Sequence, residues 1–248
     1  MCTLVVAHRQ YAEWPLIVAA NRDERLERPS TPPRIWPGLF WAPRDEVVQG
    51  TWLGLNAHGL FVGITNRFPA ENDPGRESRG KLVLEALRSS SAKALHTELA
   101  NLSALRFNSF HLLYADRDAV FMTWSDGELV RQSELAPGLH VVTERSLGGD
   151  DQARTERVQA SWPGRSGAPS SEALAELMAQ HGGDNPVGGT CIHLPHMGYG
   201  TRSSLQLFLA PSLAQSRLYW AEGAPCTVSY RDQSKALAGL TTGTSPNK

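Results

Sequence analysis

What most limits the fold of this chain is the order of its apolar segments, which come in strand-length blocks separated by stretches of helical period. CTLVVA (residues 2–7) and LIVAA (16–20) are short apolar runs, broken only by Thr3, and read as strands buried on both faces. TWLGLNAHGLFVGITN holds two more runs around a NAHG turn, where Asn56 and Gly59 suit a tight hairpin. From Gly80 the period changes: Leu84 and Leu87, then Leu95, Leu99 and Leu102, fall at helical spacing, with SSS at 89–91 dividing two helices. SFHLLYAD, AVFMTW, ELVRQSEL and GLHVVTE return to strand character as a meander. DDQARTERVQASW and SSEALAELMAQHG read as helices, the second capped by Ser170 or Ser171 and closed by Gly182. TCIHL, SSLQLFLA, RLYWAE and CTVSYR fill the last third as strands. Blocks in this order give an α+β domain, and two antiparallel sheets stacked between helical layers accommodate every element. No repeat or long polar linker divides the chain, so residues 1–240 are expected to form one domain. LAGLTTGTSPNK is expected to fray, with 241–248 a flexible tail. The proline- and charge-rich NRDERLERPSTPPRIWPGLFWAPRDE is expected to be a long surface excursion of the kind that often carries function.

Composition removes several classes of partner. A net charge of −1 sets up no field for nucleic acid or an anionic membrane. No apolar run is long enough to span a bilayer, and the start lacks the order of regions found in a signal peptide. Cys2, Cys191 and Cys226 are widely spaced, with no CxxC or Cys/His ligand pattern, so no metal site is expected and reduced thiols in a cytoplasmic protein fit best. His8, His58, His193 and His196 likewise sit in no ligand motif and read as surface or hydrogen-bonded residues. GGDNPVGG at 182–189 lacks the strand-to-helix layout of a phosphate loop and reads as a turn.

The chemistry gathers at the first residues. Once the initiator methionine is trimmed, Cys2 carries a thiol and a free amine on one carbon. That amine titrates near ~7.7–8.0 and can take the proton of its own side chain, the arrangement of nucleophiles activated by an N-terminal amine. A thiol needs little help, since its pKa of ~8.5 is close to neutral and a nearby cation lowers it further. A buried strand cysteine is the other reading of this position. ANRDER at 20–25 supplies candidates to sit beside it: Asp23 to anchor or orient the amine, Asn21 and Arg22 to hold a substrate carboxylate or the thiolate. A solvated turn is the bland alternative for that cluster. Asn66 ends the VGITN run, where a side-chain amide can stabilise an oxyanion or simply form a turn. Arg202 in YGTRSS is either a site cation or an ordinary edge charge.

Taken together, MCT at the start, ANRDE at 20–24, TWLGLN…G…TN, SRG at 78–80 and YGTRSS at 199–204 resemble the NRDE family, whose eukaryotic members are the transport-and-Golgi-organization proteins. That family is related to the N-terminal nucleophile hydrolases, in particular the cysteine branch containing bile salt hydrolase and penicillin V acylase. The resemblance implies a four-layer αββα sandwich and a nucleophilic Cys2, with Asp23 anchoring its amine and Asn66 near the oxyanion. Arg202 stands as the counterpart of the hydrolases' late arginine. Where those hydrolases carry a Gly-Arg pair this chain has Ala19 and Ala20, with Arg22 as the substitute. Glu144 in VVTERS stands where they have an asparagine. The implied activity is hydrolysis of an acyl thioester or amide without a required cofactor. The alternative implied by the family is a haem or acyl-CoA/lipid carrier in which haem or an acyl chain is a bound small-molecule ligand. Neither composition nor spacing speaks to oligomeric state.

Overall fold

The computed structural model describes residues 2–36, 40–68, 72–147 and 152–242. Its apolar runs become two seven-stranded antiparallel sheets. The chain opens with β1 (Cys2–His8), β2 (Leu16–Arg25), β3 (Ser30–Trp36), β4 (Phe40–Asp45), β5 (Leu53–Asn56) and β6 (Phe61–Asn66). Helices α1 (Arg79–Ala86) and α2 (Ala92–Glu98) follow, and then the meander β7 (Phe110–Ala115), β8 (Val120–Ser125), β9 (Val130–Glu134) and β10 (Gly138–Val142). After α3 (Gln152–Ala160) and α4 (Ser171–Met178) come β11 (His193–Leu194), β12 (Tyr199–Leu209), β13 (Arg217–Ala221), β14 (Arg231–Asp232) and α5 (Lys235–Thr242). One sheet runs β10-β1-β2-β12-β13-β14 with β11 on β12; the other runs β3 to β9 in chain order.

Alternation along each strand explains why the runs are apolar on both faces. In β1, Leu4 and Val6 point between the sheets to meet Trp41, Phe61 and Leu113. Val5 and Ala7 point the other way, onto Val158, Leu174 and Leu177 of α3 and α4. In the second sheet Val62, Leu112 and Tyr114 face Leu82, Val83 and Leu95 of α1 and α2. A strand sandwiched between a sheet and a helix layer has no polar face to show. Each fully buried aliphatic side chain contributes about 1.5–3 kcal/mol, so both outer helix layers are held by the same strands that build the centre. The layers are helix, sheet, sheet, helix: the αββα sandwich expected from the sequence.

Four segments depart from expectation. NRDER is the second half of β2, and the stretch beyond it forms the β3–β4 hairpin instead of a surface excursion. Asn21, Arg22 and Asp23 can lie buried in β2 because each finds a polar or aromatic partner, described below, and Arg25 is exposed at the strand's end. LAGLTT is helical, with Leu237 and Leu240 fully buried; those leucines supply the burial that a frayed end lacks. Of the expected tail, 241 and 242 end α5 and 243–248 lie outside the described residues. TCIHL and CTVSYR hold only the short β11 and the first residue of β14; most of both segments is loop and turn.

Candidate functional site

Cys2 is the first residue of β1 and pairs in register with Arg22 of β2. One strand further, Asp23 pairs with Thr201 of β12, just before a register shift between Thr201 and Ser203. Three adjacent strand positions thus converge on one wall of a cavity of about 510 Å³, whose lining includes Cys2, Arg22, Asp23, Trp52, Asn66 and Arg79.

The opposite wall is the start of α1. The Ser78 side chain caps that helix by accepting from the Gly80 N–H at 3.2 Å. A Cβ at Gly50 would lie 2.7 Å from the Gly80 carbonyl carbon, so glycine there lets the start of α1 seat against the backbone just ahead of β5. Arg79 is carried to the cavity by this contact and donates to the Ser109 carbonyl at 3.0 Å.

Charges in the cavity are unequally committed. Arg22 donates to Asp45 at 2.7 Å and lies over the Trp52 ring, 4.0 Å from its centroid. Its Nη1 is buried with no hydrogen-bond partner among the described residues. Arg28 closes on the same Asp45 at 2.6 and 3.1 Å. Burial lowers the pKa of both Arg22 and Arg79, opposed first in each case by attraction to Cys2. A buried donor without a partner costs free energy, and an anionic or carbonyl oxygen in the cavity would recover it.

Burial also raises the Cys2 thiol, against the lowering expected from its neighbours. The positive chain terminus, a hydrogen bond from the Asp23 backbone N–H and Arg22 pull it down; the Asp23 carboxylate pushes it up. At rest the residue is a protonated thiol that needs a base. Asp23 is pushed up to about 7, chiefly by burial. The chain terminus, the 2.6 Å hydrogen bond from Thr201 and Arg154 act in the opposite direction, and Glu144 raises it further. The Tyr199 hydroxyl donates to the Asp23 carbonyl at 2.8 Å.

Asp23 therefore ties stability to pH. Its folded pKa of about 7 exceeds the ~3.9 of an unfolded aspartate, so its contribution is complete below ~4 and is lost as pH rises towards 7. Asp23→Asn keeps an acceptor for Thr201 and removes this loss. Urea unfolding at pH 4.5 and pH 7.5 should show the variant gaining on wild type by ~1–4 kcal/mol at the higher pH. Parallel curves at the two pH values would contradict a buried, titrating Asp23.

Of the residues singled out from the sequence, Cys2, Arg22, Asp23 and Asn66 line the one cavity, Asn66 from the exposed end of β6. Asn21 does not: it faces α4 and donates to the Met178 and Thr190 carbonyls at 2.9 and 2.8 Å. Strand alternation turns it away from its neighbour Arg22. Arg202 sits at the irregularity in β12 and reaches the carbonyls of Leu26 and Arg28, bracing the β2–β3 turn outside this cavity. Glu144 is buried behind Asp23 in an ion pair with Arg154 at 3.2 Å. Arg79 and Thr201 were legible only as parts of SRG and YGTRSS; Arg154 had no sequence mark beyond its place in an amphipathic helix. The thiols expected to be scattered are not: Cys191 and Cys226 bring their sulfurs within 3.6 Å of one another, away from the cavity.

Comparison with known proteins agrees with this fold. The family model described as Transport and Golgi organisation 2 matches residues 1–163. The mouse Transport and Golgi organization 2 homolog is 29% identical over 125 residues, 46% of this chain and 42% of that protein. The human homolog is 30% identical over 111 residues, 41% of this chain and 38% of its own length. The matched part thus spans about two fifths of these relatives. Among solved structures, a cysteine-to-alanine mutant of conjugated bile acid hydrolase from Clostridium perfringens superposes with a TM-score of 0.56 at 11% identity, covering 95% of this chain and 93% of that one. Penicillin V acylase from Agrobacterium tumefaciens gives 0.54 at 13%, covering 95% and 88%. The Caenorhabditis elegans ortholog of N-acylethanolamine-hydrolyzing acid amidase gives 0.53 at 14%, covering 84% and 92%. At such identities the likeness establishes the N-terminal nucleophile hydrolase fold.

Proposed function

Because the chain belongs to the Transport and Golgi organisation 2 family, on the fold of the N-terminal nucleophile hydrolases, we propose that it is a hydrolase of acyl thioesters or amides whose nucleophile is the Cys2 sulfur. The observation that carries this reading is the position of Cys2. It heads β1, faces a cavity, takes a hydrogen bond from the Asp23 backbone, pairs with Arg22 on the next strand and has Arg79 on the opposite wall. The solved neighbours are named as a hydrolase, an acylase and an amidase, which supports the same chemistry.

Removal of Met1 frees the Cys2 amine, which takes the thiol proton. The sulfur then attacks the substrate carbonyl carbon, and the C=O electron pair moves to oxygen. Arg22 Nη1, the uncommitted donor, and the Asn66 amide stand on the cavity walls to receive that charge. Collapse of the tetrahedral adduct leaves an acyl group on Cys2 and expels either an amine, which takes its proton from the Cys2 ammonium, or a thiolate, after which the ammonium gives its proton to solvent; either way the amine is free again. Water, giving its proton to the same amine, releases the acid and restores the thiol. Asp23 beside this amine sets its charge and orientation.

A thiolate leaves without being protonated, whereas an amine needs a proton in the transition state, a form of help worth ~10²–10⁴ in rate. Acyl thioesters should therefore turn over ~10²-fold or more faster than amides of the same acid. Paired assays of the two substrate classes check this, and amide turnover in excess would reject it. Intact-mass analysis tests the reading itself. The native chain should begin Cys-Thr-Leu, and a rapid quench with thioester should show one acyl group on the peptide containing Cys2. A chain that keeps Met1 throughout, or stoichiometric uptake of haem or an acyl ligand unaffected by Cys2→Ala with no turnover, would make the protein a carrier.

A further inference from the structure

His181, Cys191, His193 and Cys226 lie outside the Cys2 cavity, yet each offers an atom within 4.8 Å of those of the other three. The two sulfurs are 3.6 Å apart, and His193 Nε2 lies 3.4 Å from Cys191 Sγ and 3.0 Å from Cys226 Sγ. The His181 and His193 rings are 4.9 Å apart between centroids. A zinc ion takes sulfur at ~2.3 Å and imidazole nitrogen at ~2.0–2.1 Å, so the edges of its coordination tetrahedron measure roughly 3.3–3.8 Å. Of the three edges just given, two already fall in that range. The short one ends on Cys226, an exposed residue free to move by tenths of an ångström. We propose that these four residues form a closed, tetrahedral Cys₂His₂ site for a divalent metal ion of the zinc class.

The backbone around them is shaped for this convergence. GGDNPVGG folds back so that the Cys191 N–H donates to the Gln180 carbonyl at 3.0 Å, which brings His181 beside Cys191. A Cβ at Gly189 would lie 2.5 Å from the Gln180 oxygen, and one at Gly182 would lie 1.9 Å from the Asn185 oxygen. Only glycines allow the hairpin to close. On the other side, the Ala224 carbonyl accepts from the Thr227 and Val228 N–H groups at 3.0 and 2.9 Å, a single turn that presents Cys226.

Binding needs no electron transfer. Each thiol gives its proton to solvent as its sulfur takes the ion, the two neutral imidazoles each donate a lone pair, and two thiolates balance the +2 charge. Soft sulfur with imidazole in a tetrahedral set favours zinc over the oxygen-seeking magnesium and calcium. Four protein ligands leave no open position, so the ion fixes structure and activates no water. What it fixes is the backing of the Cys2 site. The Thr190 carbonyl accepts from Asn21, and the Ile192 N–H donates to Thr201 Oγ1, which donates to Asp23.

The test is independent of any hydrolase activity. Protein purified under reductant and stripped with a chelator is titrated with Zn²⁺, and separately with Co²⁺. The expected result is one ion per chain, with Co²⁺ giving tetrahedral d–d bands and a sulfur-to-cobalt charge-transfer band. Cys226 should be alkylated by iodoacetamide after chelation and protected once Zn²⁺ is restored. Cys226→Ser and His193→Ala change exposed residues, so their folding can be verified by circular dichroism. Each should weaken binding by more than the ~10–100-fold that loss of even an outer partner costs. Uptake below one ion in two chains, equal affinity in both variants, or a Cys191–Cys226 disulfide persisting under reductant would each overturn the proposal.

Discussion

Cys2→Ala should lower acyl-thioester turnover by ~10³-fold or more while leaving the melting temperature within a few degrees of wild type. The activity loss follows from removing the sulfur that is proposed to form the acyl bond. Deleting a nucleophile from a triad-type site leaves only the residual catalysis of the oxyanion donors and binding. The fold should tolerate the change because Cys2 is half-buried at a strand end and its neighbours Thr3 and Leu4 keep the β1–β2 register. A rapid-quench mass spectrum of the variant should contain no acylated chain. Residual turnover near wild type would place the nucleophile elsewhere, and collapse of the fold would make Cys2 a structural residue.

Arg154→Met should destabilise the protein by about 3–5 kcal/mol, the cost of leaving one member of a buried ion pair without its partner. Arg154 is fully buried on Glu144 at 3.2 Å and also donates to the Val187 carbonyl at 2.6 Å. The double change Glu144→Gln/Arg154→Met removes the stranded charge and should recover most of the loss. In thermal unfolding the single variant should fall ~6–20 °C, by the usual 2–4 °C per kcal/mol for a domain of this size. It also removes a positive charge that holds Asp23 down, so the pH at which Asp23 ionises should rise above about 7. A double variant as unstable as the single one would show that the pair matters for packing and not for charge.

The layers of this fold were legible because strands buried on both faces and helices buried on one leave different periods in the sequence. VVA and LIVAA could be nothing but strands between two apolar layers. NRDER defeated that logic: a strand that carries an active-site wall is polar where the core pattern demands apolar residues, and so it looks like a loop. Cys2, Asp23 and Asn66 could be found because chain position and the NRDE segment marked them. Asn21 and Arg22 are adjacent in sequence and chemically alike as binders, and only the pleat sends one to the helices and the other to the cavity. Arg154 and the four-residue cluster around Cys191 are assembled from distant segments, and sequence spacing holds no trace of such convergence. Within LAGLTT, Leu237 and Leu240 at helical spacing were the overlooked sign of a docked helix.

The cavity is built from two kinds of material. Its reactive side is pinned in place by the pairing of β1, β2 and β12, which runs from end to end of β1 and continues on both sides of the shift at Arg202. Its facing side is the segment 72–79, which reaches the pocket through Asn72, Asp73, Arg76 and Arg79 and is tied to the loop before β7 by Asp73 on Asn108, Arg76 on the Phe107 carbonyl and Glu77 on Arg106. Substitutions along that segment can reshape what the pocket admits without moving the sulfur or its base. Such a division lets descendants of one gene diverge in diet while inheriting the same reaction, and directed evolution of a new specificity should begin there.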